Sequence, residues 1–462
     1  MSITELPPPA ESSPSGAAAA RNVALAHPAS HLPMLRLPFE LRGDSTRAVI
    51  LSWLTSRALT LAVLVTAESS VTGDVSYYAR SLQTLFHGGS LRETLQEYPL
   101  PVLAIMLPQF LIGALNSLAF GCLFVISMLA VDGIFTWSLW RVGGRRRSEA
   151  VKFWLWFVPA IGPIAYFRFD LVPAMLAGGA VLAAARRPAF SGALTAIGAA
   201  LKLWPALMLP SFLLRKMDRR AVVLSFVVTG GLIAVASLAV GGIGRLLSPL
   251  NWQSARGLQI EAVLASPLML ARSLHPHGIW HVQVSRYKAF EIFGWGVHGI
   301  VLASTLLTVA GVGLLGWLWL RARVQPEISA ETVGWLFLAT ATMMTITNKA
   351  LSPQYILWLG GPLAALLARW PGDPNVRRAA RLLLVICVLT QIDFPITYAS
   401  IASFTTSWTF ISTLSLTIRN ILLVRLTWFA CMQVYRQTKQ APDAPDEAAI
   451  QDAASAAAHH HG

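Results

Sequence analysis

The sequence predicts an all-α polytopic membrane protein, and three observations predict it: bulk composition, the number of long apolar runs, and the placement of basic residues between them. Of its 462 residues, 55% are hydrophobic and only 13% are charged, whereas charged residues make up about a quarter of a soluble domain. Apolar runs long enough to cross ~30 Å of hydrocarbon lie near 47–67, 117–140, 153–167, 171–185, 221–241, 293–320, 332–347, 353–368, 382–399 and 408–434. The formal net charge of +14 sits in short clusters between these runs, as in cytoplasmic loops, so membrane lipids and not nucleic acid are the expected surroundings.

One orientation places every basic cluster on the same side. Starting inside at Arg36, Arg42 and Arg47, about ten spans bring Arg145 to Arg147, Arg186/Arg187, Arg215 to Arg220, Arg321/Arg323, Arg377/Arg378/Arg381 and Arg436/Lys439 back to the cytoplasm. Both termini are then cytoplasmic. The condition is that 99–116 and 190–214 do not cross completely. The first holds Pro99, Pro101 and Pro108 and is expected to lie along the outer leaflet. The second breaks at Leu203-Trp204-Pro205 and is expected to form a re-entrant helical hairpin with its tip near Lys202. Non-helical backbone at that depth must face protein or a water-filled cavity, so a cavity is implied.

Residues 1–40 and 441–462 are Ala-, Pro- and Ser-rich or otherwise of low complexity and are expected to be disordered cytoplasmic tails flanking one transmembrane domain, 41–440. Cys122, Cys387 and Cys431 all lie in apolar stretches, and no phosphate loop, dinucleotide fingerprint or metal-ligand spacing occurs. No cofactor and no metal are therefore expected.

Function must come from polar residues that the topology exposes outside: Asp74, Arg168, Asp170, the long segment 242–292, and Asn348-Lys349 with Ser352 to Tyr355. Asp74, read as lying in a loop beyond the first span, is either a base for a hydroxyl proton or a helix N-cap. Lys202, a cation at membrane depth, must snorkel or find an anion: a bound phosphate, joined by Arg168, Arg256 and Lys349, or a buried carboxylate. Arg57, Asp132, Asp393, Arg419 and Arg425 read as interhelical partners.

Gly73-Asp74-Val75-Ser76-Tyr77-Tyr78, then Tyr98-Pro99, then Gly198 to Pro205, then Arg256-Gly257-Leu258-Gln259-Ile260-Glu261, then Asn348 to Tyr355 together resemble glycosyltransferase family 87. The resemblance implies a C-type membrane glycosyltransferase fold, with external loops forming the active site. It also implies an inverting enzyme that takes a sugar, mannose by preference and arabinofuranose as the alternative, from a polyprenyl-phosphate donor to an envelope glycolipid or polysaccharide. That places it in the plasma membrane with its site facing outside. Asp74 matches the general base, and Lys202 and Lys349 match basic positions near the donor phosphate, toward which the topology lets Arg168 and Arg256 converge. Tyr78, Gln259, Glu261, Gln354 and Tyr355 are the side chains expected against sugar or acceptor. Gln354-Tyr355 replaces the His pair common in this family, and Tyr98-Pro99-Leu100-Pro101 loosens its Tyr-Pro-Pro. A transporter or lipid flippase is the rival of another class; it predicts inverted repeats, and the two halves show no such correspondence.

The topology is tested by single cysteines in a chain whose three native cysteines are replaced by alanine. A cysteine at Gly88 should react with an impermeant thiol reagent from outside and one at Gly144 should not; external labelling at Gly144 contradicts the topology.

Overall fold

The computed structural model describes residues 45–143, 148–214, 219–275, 278–403 and 408–439. The expected tails and the clusters Arg145 to Arg147 and Arg215 lie outside the described residues. The chain is helical almost throughout, as the composition predicts. In order, the helices are α1 (Thr46–Ala62), α2 (Leu64–Phe86), α3 (Leu100–Ile112), α4 (Ser117–Val142), α5 (Ser148–Ile161), α6 (Ile164–Phe167), α7 (Leu171–Ala183) and α8 (Pro188–Leu201). They continue with α9 (Leu209–Phe212), α10 (Arg219–Ser254), α11 (Ser266–Leu274), α12 (Val297–Arg323), α13 (Ala330–Ile346), α14 (Leu357–Arg369), α15 (Pro374–Gln391), α16 (Tyr398–Ala402) and α17 (Thr409–Lys439). An antiparallel hairpin, β1 (Trp280–Val284) with β2 (Phe290–Gly294), pairs Val282 with Ile292 between α11 and α12.

Every expected apolar run has a helical counterpart. Among the described residues five stretches are long and apolar enough to cross a bilayer: α4, α10, α12, α15 with the turn after it, and α17. Shorter apolar helices, α3, α7, α8 and α13 among them, complete the bundle. Their burial separates two roles. α10 and α12 have only 11% of their apolar windows buried and turn their side chains to lipid, whereas α7, α13 and α14 are buried along nearly their whole lengths. Glycine permits the closest crossing there: a Cβ at Gly178 of α7 would come within 2.7 Å of the Gly361 backbone of α14.

Two expectations about loops are corrected. The first helical run does not end before Asp74, because α2 resumes one residue after α1 and continues to Phe86. Thr72-Gly73-Asp74 reads as a turn, but an interior glycine costs a helix only about 1 kcal/mol, which the packing of Val71, Val75, Tyr78 and Leu82 in the core readily outweighs. Asp74 is thus inside a helix and is not an N-cap. Likewise the segment expected to be loop from 242 is helical to Ser254, with a kink at Gly242, where φ is 70°. By contrast α8 breaks where proline and a buried cation required it: Lys202 is extended, and a 3-10 turn, Trp204–Met208, follows. The stretch 99–116 folds as α3, thirteen residues and roughly 20 Å long, as short as α7 and α14.

A charge hub ties the first helices together. Asp132 of α4 accepts from Arg57 Nε (2.7 Å) and Nη2 (2.9 Å) of α1. It also accepts from Trp53 Nε1 (2.9 Å), Trp154 Nε1 (2.6 Å) of α5 and the Tyr166 hydroxyl (2.8 Å) of α6. With Arg57 and Asp132 both buried, removing one partner strands the other charge in a low-dielectric interior, at about 3–5 kcal/mol. Asp132→Ala should therefore sharply lower the thermal stability of the detergent-solubilised protein, and Arg57→Leu/Asp132→Leu should lose less than the single change. A single variant as stable as wild type contradicts the pairing.

Candidate active site

A cavity of about 750 Å³ opens where α2, the Glu97-Tyr98 loop, the end of α10, the hairpin and the turn before α16 meet. Asp74, Tyr77 and Arg80 recur at three-residue spacing along α2 and so line it from one side. Gly73 lies on the same wall, and a Cβ there would meet no atom within 4 Å; a larger residue would project into the open volume.

Of the residues singled out in the sequence, Asp74, Arg168, Arg256, Gln259 and Gln354 line this cavity together. The Asp74 side chain is 37% exposed, and its Oδ2 lies 2.8 Å from Arg168 Nε, on a side chain only 8% exposed. The N–H is not in line for a hydrogen bond, so the contact is ionic. Arg168 is held independently, its Nη1 donating to Val71 O (3.1 Å) and Phe167 O (3.2 Å), with its guanidinium 5.8 Å from the Phe394 ring centre. It is therefore a fixed cation on the cavity wall. Arg256 is held more loosely, its Nη2 3.4 Å from Gln259 Oε1. Gln259 is buried, donating to Ser352 Oγ (2.9 Å) and joined through its backbone N–H to Lys349 O (3.0 Å). Those bonds bring the two motif loops, 256–261 and 348–355, side by side.

The remaining candidates stand behind the wall. Lys202, at the broken end of α8, is 2.5 Å from Asp170 Oδ1, which also accepts from Trp358 Nε1 (2.7 Å). Its ammonium lies 5.0 Å from the Tyr355 ring, 5.1 Å from Trp358 and 6.0 Å from Tyr98, and Tyr98 itself lines the cavity. Tyr355 stacks on Trp358 at 4.0 Å, and Tyr78 hydrogen-bonds Tyr98 through their hydroxyls (2.7 Å). Lys349 Nζ donates to Ser254 O (2.8 Å), which fastens the end of α10; partial burial lowers its pKa. Glu261 is 1% exposed and pairs with Arg419 Nη1 at 3.1 Å. Desolvation raises its pKa to about 7 against the opposing pull of Arg419. Arg419 also lies 3.8 Å from Asp393, so one arginine stands between two buried carboxylates.

Sequence reasoning missed Glu97, Tyr77, Lys288 and Tyr398, all cavity residues. Glu97 interacts with the Tyr77 hydroxyl, and burial pushes its pKa above the ordinary carboxylate value; its Oε2 is buried with no hydrogen-bond partner. Lys288 Nζ sits 3.4 Å from the centre of the Tyr77 ring. Glu97 directly precedes the Tyr98-Pro99 motif, a signal available but unused, whereas Lys288 reaches the site only through the fold of the hairpin.

A helical bundle whose cavity sets two carboxylates, Asp74 and Glu97, among cationic side chains fits the class of a membrane glycosyltransferase. The family model of glycosyltransferase family 87 matches residues 97–347, more than half of the chain, and the chain belongs to that family. Arg168, Lys202, Arg256, Gln259 and Glu261 fall within the match, Asp74 precedes it, and Lys349, Gln354 and Tyr355 follow it. Comparison with curated proteins and with solved structures gives no match.

Proposed function

We propose that the protein transfers a sugar, mannose in the first instance, from a polyprenyl-phosphate donor to a glycolipid or polysaccharide acceptor on the outer face of the plasma membrane, with inversion at the anomeric carbon. The observation that carries this reading is the placement of Asp74, an accessible carboxylate, in one cavity with Arg168 and Arg256. Inverting transfer needs one base and a stabilised leaving group. Asp74 takes the proton of the acceptor hydroxyl as its oxygen attacks the anomeric carbon. The bond from that carbon to the phosphate oxygen breaks, and the phosphate departs with the electron pair.

Charge grows on the departing phosphate, and cations already fixed by the fold stabilise it without reorganising. Arg168, anchored by two carbonyls, suits that task, with Arg256 opposite. Lys202, paired with Asp170, supports the wall behind Tyr98, and Lys349 secures the loop that carries Gln259. Gln259, Gln354 and Glu97 supply hydrogen-bonding groups for sugar hydroxyls, and Tyr78, Glu261 and Tyr355 hold the wall in shape. Mannose and arabinofuranose donors present the same phosphate, so purified protein offered each polyprenyl-phosphate sugar, with product lipid analysed by mass, decides between them.

Asp74→Asn tests the base. Because Asp74 lies within α2, amide for carboxylate leaves the helix intact and removes the proton acceptor. Turnover should fall on the order of 100-fold or more while the donor still binds. Wild-type turnover by folded Asp74→Asn protein contradicts the assignment.

A further inference from the structure

Beside the cavity lies a second cleft, of about 550 Å³, lined by Arg92, Arg245, Asn251, Trp252, Arg286 and Tyr287 among others. The two share Trp252 and Tyr287, whose rings meet edge to face at 5.2 Å. A ligand in the cleft is therefore one aromatic wall away from the cavity that Asp74 lines. The two openings differ in charge. The cavity mixes Asp74 and Glu97 with its cations, whereas the cleft has three arginines and no acidic lining residue.

The three arginines divide the work. Arg245 is 1% exposed. Its Nη1 donates to Tyr98 O (2.9 Å) and Ser248 Oγ (2.9 Å), and its Nη2 to Thr94 O and Leu95 O (3.2 Å each). Its Nε is buried with no partner, and among the described residues no carboxylate forms an ion pair with it. Neutral carbonyls orient this charge but do not cancel it, so it gives the cleft a fixed positive potential. Arg92 and Arg286 are exposed, and Arg286 rests over the Tyr287 ring at 4.9 Å; both can close on a ligand. Planar guanidinium forks match phosphate and carboxylate, and Trp252 and Tyr287 offer flat apolar faces beside them.

We propose that this cleft binds an anionic saccharide, one carrying a phosphate or carboxylate, and that it is the acceptor's subsite, holding the anion while a neighbouring sugar hydroxyl reaches Asp74 past Trp252 and Tyr287. The acceptor assignment rests on the transferase reading; the anion-saccharide site does not.

The test uses full-length protein in neutral phosphatidylcholine nanodiscs and two probes, an octyl dimannoside bearing one phosphate and its unphosphorylated twin. Wild type should bind the phosphorylated probe about tenfold or more tightly than its twin, the worth of one to two charge-assisted contacts. Arg92→Ala/Arg286→Ala should abolish that preference without changing binding of the neutral twin, and Arg92→Lys/Arg286→Lys should keep much of it. Soluble mannose 6-phosphate should compete and phosphatidylglycerol should not; the reverse pattern overturns the proposal in favour of a lipid headgroup. Equal binding of the twins to wild type also overturns it. With a donor present, the alanine variant should raise KM for the phosphorylated acceptor and leave kcat unchanged. Binding preference without sugar transfer from any donor defeats the transferase reading and leaves the cleft standing, whereas normal transfer without preference defeats the cleft alone.

Discussion

The site hangs on the three-residue turn Arg168-Phe169-Asp170 between α6 and α7, which sends opposite charges in two directions. Arg168 reaches Asp74 on α2, and Asp170 reaches Lys202 at the broken end of α8 and Trp358 on α14. In a medium that penalises isolated charge by several kcal/mol, neither cation is tolerated without a partner, so the turn dictates where both sit. Phe169 between them is wholly buried and keeps the turn from sliding. Buried ion pairs of this kind seldom add stability over apolar packing; here they fix position. The Asp132 hub does the same for α1, α4, α5 and α6, and it reaches the turn through Tyr166.

From that constraint the cavity follows. The extended backbone at Lys202 needs a structured surround, which Tyr98, Tyr355 and Trp358 provide, with Trp204 stacked on Trp358 at 5.3 Å. The aromatic layer packs around the Lys202 ammonium, whose charge is paired with Asp170. On the other flank, the bonds from Gln259 to Ser352 and to Lys349 O join two loops distant in sequence. Beneath them Arg419 and Glu261 close the base near Tyr398, a cavity residue. The cationic cleft then continues the same surface beyond Trp252 and Tyr287.

Much of this was legible in the sequence because hydrocarbon imposes simple rules. Each apolar run became a helix, and Pro205 together with Lys202 marked the break in α8. Four of the five intramembrane charges paired, Arg57 with Asp132 and Arg419 with Asp393, while Arg425 is exposed. Less legible was anything decided by tertiary packing. Asp74 read as a loop residue because it lies beyond the end of the first apolar run, yet the core face of α2 carries the helix through it. The motif side chains Tyr78, Glu261 and Tyr355 could not be assigned a depth from spacing alone, and they prove to lie behind the wall. Lys288 and Arg286 come from a hairpin that a membrane pattern does not announce, and their approach to Tyr77 and Tyr287 exists only in three dimensions.

The central claim is that a donor phosphate sits between Arg168 and Arg256 with its sugar facing Asp74. A cryo-EM map of the full-length protein in nanodiscs with a non-transferable polyprenyl-phosphonate sugar tests it most directly. The account predicts phosphonate density within hydrogen-bonding distance, about 3 Å, of Arg168 or Arg256, and the anomeric carbon on the Asp74 side of the cavity. Phosphonate density outside this cavity, or a sugar turned away from Asp74, contradicts it.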